Sequence, residues 1–138
     1  SLHGAGFVAR LSGATAEFLS IWTTMTAGRK PFFLENGKLC LAFRPTLPGW
    51  LFDKDGRLTF TFLGRVAITY HNPDRRDLFP NGNVSVRRMI LHLADRRQLE
   101  FVQGIIGEPY ARMVRGGQIA GIELFFQAED ESWRPGLD

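Results

Sequence analysis

At 138 residues the chain has the length of one domain, and folding at this size buries about two thirds of the unfolded surface without help from disulfides or metal. Hydrophobic residues make up 44% and charged residues 22%, a balance that excludes disorder as the main state. The net charge of +3, from 17 basic and 14 acidic residues, is too mild for a nucleic-acid footprint, and no apolar run approaches the ~20 residues of a membrane span.

The chain opens Ser1-Leu2-His3, with no basic region and apolar core of a signal peptide and no initiator methionine. A segment of a longer polypeptide is expected. Phe18, Ile21, Trp22 and Met25 recur at i, i+3, i+4 and i+7, which puts them on one face of a helix. Ser12 is placed to cap its start, Gly28 to end it in the left-handed conformation, and Pro31 to prevent continuation. A lone amphipathic helix of this length is marginal in water, so it needs a partner.

Beyond Pro31 the period changes. Leu39, Leu41 and Phe43 alternate with Lys38, Cys40 and Ala42 until Pro45 and Pro48-Gly49 stop the run. Asp53-Lys54-Asp55-Gly56 has turn chemistry. Residues 58–63 and 66–71 are β-rich runs joined at Gly64-Arg65, which reads as a two-residue II′ hairpin. A polar loop covers residues 72–83, and further strands are expected over 84–93 and 99–102. Residues 108–115 read as a short helical turn, with Pro109 at its first position and Gly116 past its end. In the last strand, 119–127, Ala120, Ile122, Leu124 and Phe126 face one way and Ile119, Gly121, Glu123 and Phe125 the other. The tail is acidic and expected to fray. One helix followed by many short strands predicts a mainly β fold: an antiparallel β-sandwich preceded by one N-terminal helix.

Little of this carries chemistry by motif. Cys40 is the only cysteine and sits in an apolar run, where it behaves as a small hydrophobe. His3, His71 and His92 are scattered, so no metal site is expected, although folding can bring two of them together. Asp53-x-Asp55-Gly56 lacks the later ligands of a calcium loop. The arginine pairs, including Arg75-Arg76, Arg87-Arg88 and Arg96-Arg97, read as solvated faces and turns. Ser12-Gly13-Ala14-Thr15 offers free N–H groups and a hydroxyl at a helix start, suited to an anion such as phosphate. Trp50 follows a Pro-Gly turn and Tyr70-His71 closes a strand, so Trp50, Tyr70 and His71 are the candidates for contacting carbohydrate.

Residues Gly6 to Phe18, then Gly37 to Leu41, then Pro45-Thr46-Leu47-Pro48-Gly49-Trp50 and a long β region follow one another in an order that resembles the C-terminal end of the inverting glycoside phosphorylases, the cellobiose and chitobiose phosphorylase type. In that family a Tyr-Thr-Gly-Ser-Ala motif begins the last helix of an (α/α)6 barrel, and a basic-glycine stretch, a Leu-x-Leu-x-Pro strand and a β-sandwich follow. Here Arg10-Leu11-Ser12-Gly13-Ala14-Thr15 stands at the motif, Gly28-Arg29-Lys30 at the basic stretch, and Leu39 to Trp50 at the strand. The motif's Thr-Gly pair contacts phosphate in the family, and the resemblance carries that role to Ser12 and Gly13. Ser12 replaces the threonine and Leu11 the tyrosine, so a hydrolase or transferase on the same scaffold is the alternative expectation.

The resemblance divides the chain into a last barrel helix over 1–30, a C-terminal β-sandwich over 31–128 and an acidic tail over 129–138. It implies a structural domain of a carbohydrate-active enzyme, inactive alone because the catalytic acid lies upstream. Its partners would be the upstream barrel of the same polypeptide, oligosaccharide, inorganic phosphate and a second copy of the chain. No cofactor, metal, nucleic acid or membrane is expected, and the cytoplasm is the expected compartment. Two other readings are a free-standing carbohydrate-binding module, which needs exposed aromatics at Trp50 and Tyr70, and a protein-interaction domain using the arginine-rich loops.

Overall fold

The computed structural model describes residues 12–129. The chain is mainly β, with two sheets and one N-terminal helix, as its pattern predicts. Helix α1 (Ser12–Ala27) leads into a hairpin of β1 (Phe32–Glu35) and β2 (Lys38–Leu41). A 3-10 turn at Gly49–Leu51 precedes β3 (Arg57–Phe62), β4 (Val66–His71), β5 (Val84–Leu93) and β6 (Gln98–Phe101). A second helix, α2 (Tyr110–Gly116), then returns the chain to β7 (Ile119–Ala128).

The five long strands form one sheet in the order β3-β4-β7-β5-β6. All its pairings are antiparallel except β4 with β7, which run parallel. The connection between that parallel pair is made by β5, β6 and α2 rather than by one crossover helix. β7, last in sequence, thus lies at the centre of the sheet.

Alternation decides which side of each strand is buried, except at the start of β7, where the register shift between His92 and Leu93 leaves Ile119 buried and Ala120 exposed, against the strict alternation expected there. Leu58, Phe60 and Phe62 of β3, Val66, Ile68 and Tyr70 of β4, Ile122, Leu124 and Phe126 of β7, and Met89 and Leu91 of β5 all point inward. The hairpin and its flanks cover this face. Phe32 stacks on Phe62 at 5.8 Å, and Phe43 meets Phe62 edge-on at 5.0 Å. Tyr70 is at the centre of the aromatic cluster, 5.1 Å from Phe60 and 4.9 Å from Phe126. Such edge-to-face pairs contribute about 0.5–1.5 kcal/mol each beyond the area they bury.

The turns follow from residue type. Asp53 accepts hydrogen bonds from the Asp55 and Arg57 N–H groups, both at 2.9 Å, as the turn chemistry predicts. Gly56 has a φ of +77°, and a Cβ there would lie 2.4 Å from the Asn72 carbonyl oxygen. The β3–β4 turn differs from the expected one. Leu63 and Gly64, not Gly64 and Arg65, occupy its centre, and both have positive φ, which is I′-like rather than II′. β1 is a strand that the alternation from Lys38 onward does not reveal. Asn36-Gly37, both at positive φ, marks its hairpin. α2 ends one residue later than expected, on left-handed Gly117.

α1 is long but little of it is covered. Its last turn is anchored: Ala27 is buried, and the Tyr70 hydroxyl donates to the Thr26 carbonyl. Trp22 and Met25 rest partly against the core. Phe18 and Ile21 are 63% and 58% exposed, and Leu19 is exposed beside them. Among the described residues, no helix is long and apolar enough to cross a membrane.

Candidate functional site

The outer face of the five-stranded sheet carries the chain's densest polar chemistry. Register places it in rows across the strands. Arg57, His71, Phe125 and Arg88 form one row, and Thr59, Thr69, Glu123, Ile90 and Glu100 the next. His92 stands in the third, opposite Gly121.

Glu123 links these rows. Its Oε1 lies 2.9 Å from His71 Nε2, and its Oε2 lies 2.6 Å from His92 Nε2. A carboxylate only accepts, so each imidazole presents its Nε2–H to it. Partial burial pushes the Glu123 carboxyl up, but the hydrogen bonds from His92 and His71 outweigh this and hold it below the ordinary glutamate range. In the neighbouring row Phe125 packs against two planar side chains. The His71 ring stacks on it at 4.3 Å and 5°, and the Arg88 guanidinium sits 4.0 Å over its ring centre. Arg88 also pairs with Glu100 at 3.1 Å.

Glu123 thus engages one nitrogen of each histidine, and the Thr69 hydroxyl stands in the same row. Among the described residues, no group of three or more His, Cys, Asp or Glu side chains is placed to hold a metal ion.

The residues singled out from sequence have different fates. Ser12 opens α1, and its side chain lies outside the described residues, so its roles as cap and phosphate ligand do too. Gly13 is exposed in the first turn with open space around it. Trp50 is 74% exposed, as a ligand contact requires. Tyr70 does not fit that use. It is completely buried, burial pushes its hydroxyl well up, and that hydroxyl is spent on α1. The strand alternation that turns Tyr70 inward with Ile68 turns His71 outward. Trp50 and Tyr70 therefore do not form a pair, and the acidic tail expected over 129–138 lies, beyond Glu129, outside the described residues.

Three functional residues escaped sequence reasoning: Glu123, His92 and Phe125. Their signal is the outward half of the β7 and β5 alternation, but their meeting depends on strand order.

No family model matches the chain, and no curated protein matches it in sequence.

Proposed function

We propose that the chain is the C-terminal structural domain of a carbohydrate-active enzyme of the glycoside phosphorylase or glycoside hydrolase kind. It packs on a catalytic barrel formed upstream in the same polypeptide and is not catalytic alone. The observation that supports this reading is the state of α1. Its last turn is built into the β core, while Phe18, Leu19 and Ile21 stand exposed on the turns before it. A helix that keeps three large apolar side chains in water is made for a neighbour. In this reading the neighbour is the rest of the barrel, and Ser12 and Gly13 lie at the edge of its active site, where phosphate would bind. The lone Cys40, a buried thiol, agrees with a cytoplasmic parent.

The test is the reading frame upstream of Ser1. The expected result is several hundred residues with repeated helical patterns and a candidate acid. The full polypeptide is then assayed on disaccharides with and without inorganic phosphate, and phosphate dependence separates phosphorolysis from hydrolysis. An unrelated upstream neighbour, or no activity on any disaccharide, sinks the reading. One observation favours the alternative of a free-standing carbohydrate-binding module: the exposed indole of Trp50. The burial of Tyr70 removes the second aromatic that this module was expected to use.

A further inference from the structure

A groove follows the end of the sheet at the start of β5 and the end of β7. Its first stretch lies between Phe79, Asn81, Ser85 and Ile105. Its second is lined by Arg87, Val102, Gln103 and Gln127. Its third reaches Asp55, His71, Asp74, Arg88 and Phe125. The stretches are contiguous, since Val86 and Gly104 line both the first and the second, and Arg87, Val102 and Gln127 both the second and the third. Their volumes of 340, 670 and 750 Å³ each fall in the range of about 300–1,000 Å³ typical of ligand sites.

A local departure from regular β structure builds the middle of the groove. The β5–β7 register passes from Val86 opposite Phe126 to Arg88 opposite Phe125, which leaves Arg87 as an extra residue. In a regular strand, consecutive arginines point to opposite faces and one enters the core. With the bulge, Val86 and Met89 both serve the core, while Arg87 and Arg88 line the same groove. Gly104 closes on the same place: a Cβ there would meet the Val86 carbonyl oxygen at 3.3 Å.

We propose that this groove binds an extended neutral oligosaccharide. The choice of saccharide rests on the carbohydrate-enzyme reading above; the groove itself does not. Three features select the ligand. Donors and acceptors are interleaved, with Arg87, Gln103 and Gln127 beside Asp55 and Asp74, and sugar hydroxyls donate and accept at once. The lining charges nearly balance, Arg44, Arg87 and Arg88 against Asp55 and Asp74, with Asp55 paired to Arg57 at 3.3 Å and Arg88 to Glu100 at 3.1 Å, which disfavours a polyanion. Phe79, 56% exposed, offers a ring to the apolar face of a pyranose in the first stretch.

The experiment is an NMR titration of the 138-residue chain with linear cello-, chito-, malto- and laminari-oligosaccharides, from disaccharide to pentasaccharide. The expected result is that one series shifts the Arg87, Gly104 and Gln127 amides, with affinity rising with chain length. Arg87→Ala combined with Gln127→Ala then weakens pentasaccharide binding about tenfold, with the thermal midpoint unchanged. Absence of binding by all four series overturns the proposal. So does binding that leaves these amides still, or equal shifts by inorganic phosphate or heparin. If the full polypeptide is active on disaccharides while the titration fails, only the groove falls. If the titration succeeds while the upstream segment is unrelated, only the barrel-docking reading falls.

Discussion

The two helices make opposite bargains with the same β core. α2 has seven residues and is held along its length. Ala111 and Val114 are completely buried, and Gly117 closes its end on the Met113 carbonyl. The Arg65 guanidinium donates to the Arg115 carbonyl, and Glu108, just before the helix, accepts the Leu39 N–H at 2.8 Å. α1 has sixteen residues, yet only its C-terminal end, from Trp22 on, is held. By intrinsic stability the longer helix should be the safer one, because helix formation needs length to repay nucleation. Tertiary burial reverses the order. A helix's length and period show that it forms; they do not show which chain supplies the other side of its apolar face.

The largest effect is expected where α2 meets the core. Val114→Asp places an unpaired carboxylate in a site with no exposed surface. Burying a charge without a partner lowers stability by about 3 kcal/mol or more. The check is the urea midpoint of the purified chain. A loss below about 1 kcal/mol, within the range of ordinary surface changes, means that α2 is not integral and that the contrast with α1 is false.

The same contrast shows how far sequence reasoning reaches. The strands over 66–71, 84–93 and 119–127 are legible because alternation is local and the inward residues are large. The Asp53–Gly56 turn is legible because its side-chain hydrogen bonds span only a few residues. Tyr70 was open to the same logic, since it shares parity with Val66 and Ile68 and must go inward with them. The bulge at Arg87 also leaves a trace: Val86 and Met89 are both apolar but three apart, which breaks a strict period of two. The His71–Glu123–His92 group leaves none. His92 and Glu123 lie 31 residues apart and His71 and Glu123 lie 52 apart, and only the sheet order brings their strands together. The groove is illegible for the same reason, being assembled from residues 42 to 128.

A smaller effect, tuned by pH, sharpens the link between α2 and the hairpin. The Leu39 N–H, chiefly, and Arg112 hold the Glu108 carboxyl below its ordinary value. A carboxyl whose folded value is lowered binds fewer protons in the folded state. Its stabilisation is therefore complete above the ordinary glutamate range and is lost as pH falls towards the lowered folded value. Glu108→Gln should be less stable than the parent at neutral pH, and the two urea midpoints should converge in acid. Curves that stay parallel as pH falls would show that Glu108 contributes nothing through its charge.

The smallest effect on the chain itself is expected at the exposed turns of α1. Phe18→Ser with Ile21→Ser removes two side chains that are mostly exposed, so stability should stay within about 0.5 kcal/mol of the parent. Propensity is only weakly affected, since serine ranks near phenylalanine and isoleucine as a helix former. What the pair should change is association. The parent chain, with its apolar side chains in water, should self-associate as concentration rises, and the double variant should sediment as a monomer. In the longer polypeptide the same two changes should instead cost stability, because there the face is covered. The reverse outcome, a chain destabilised by these substitutions while its association state is unchanged, would place the partner of α1 within this domain and undo the comparison between the helices.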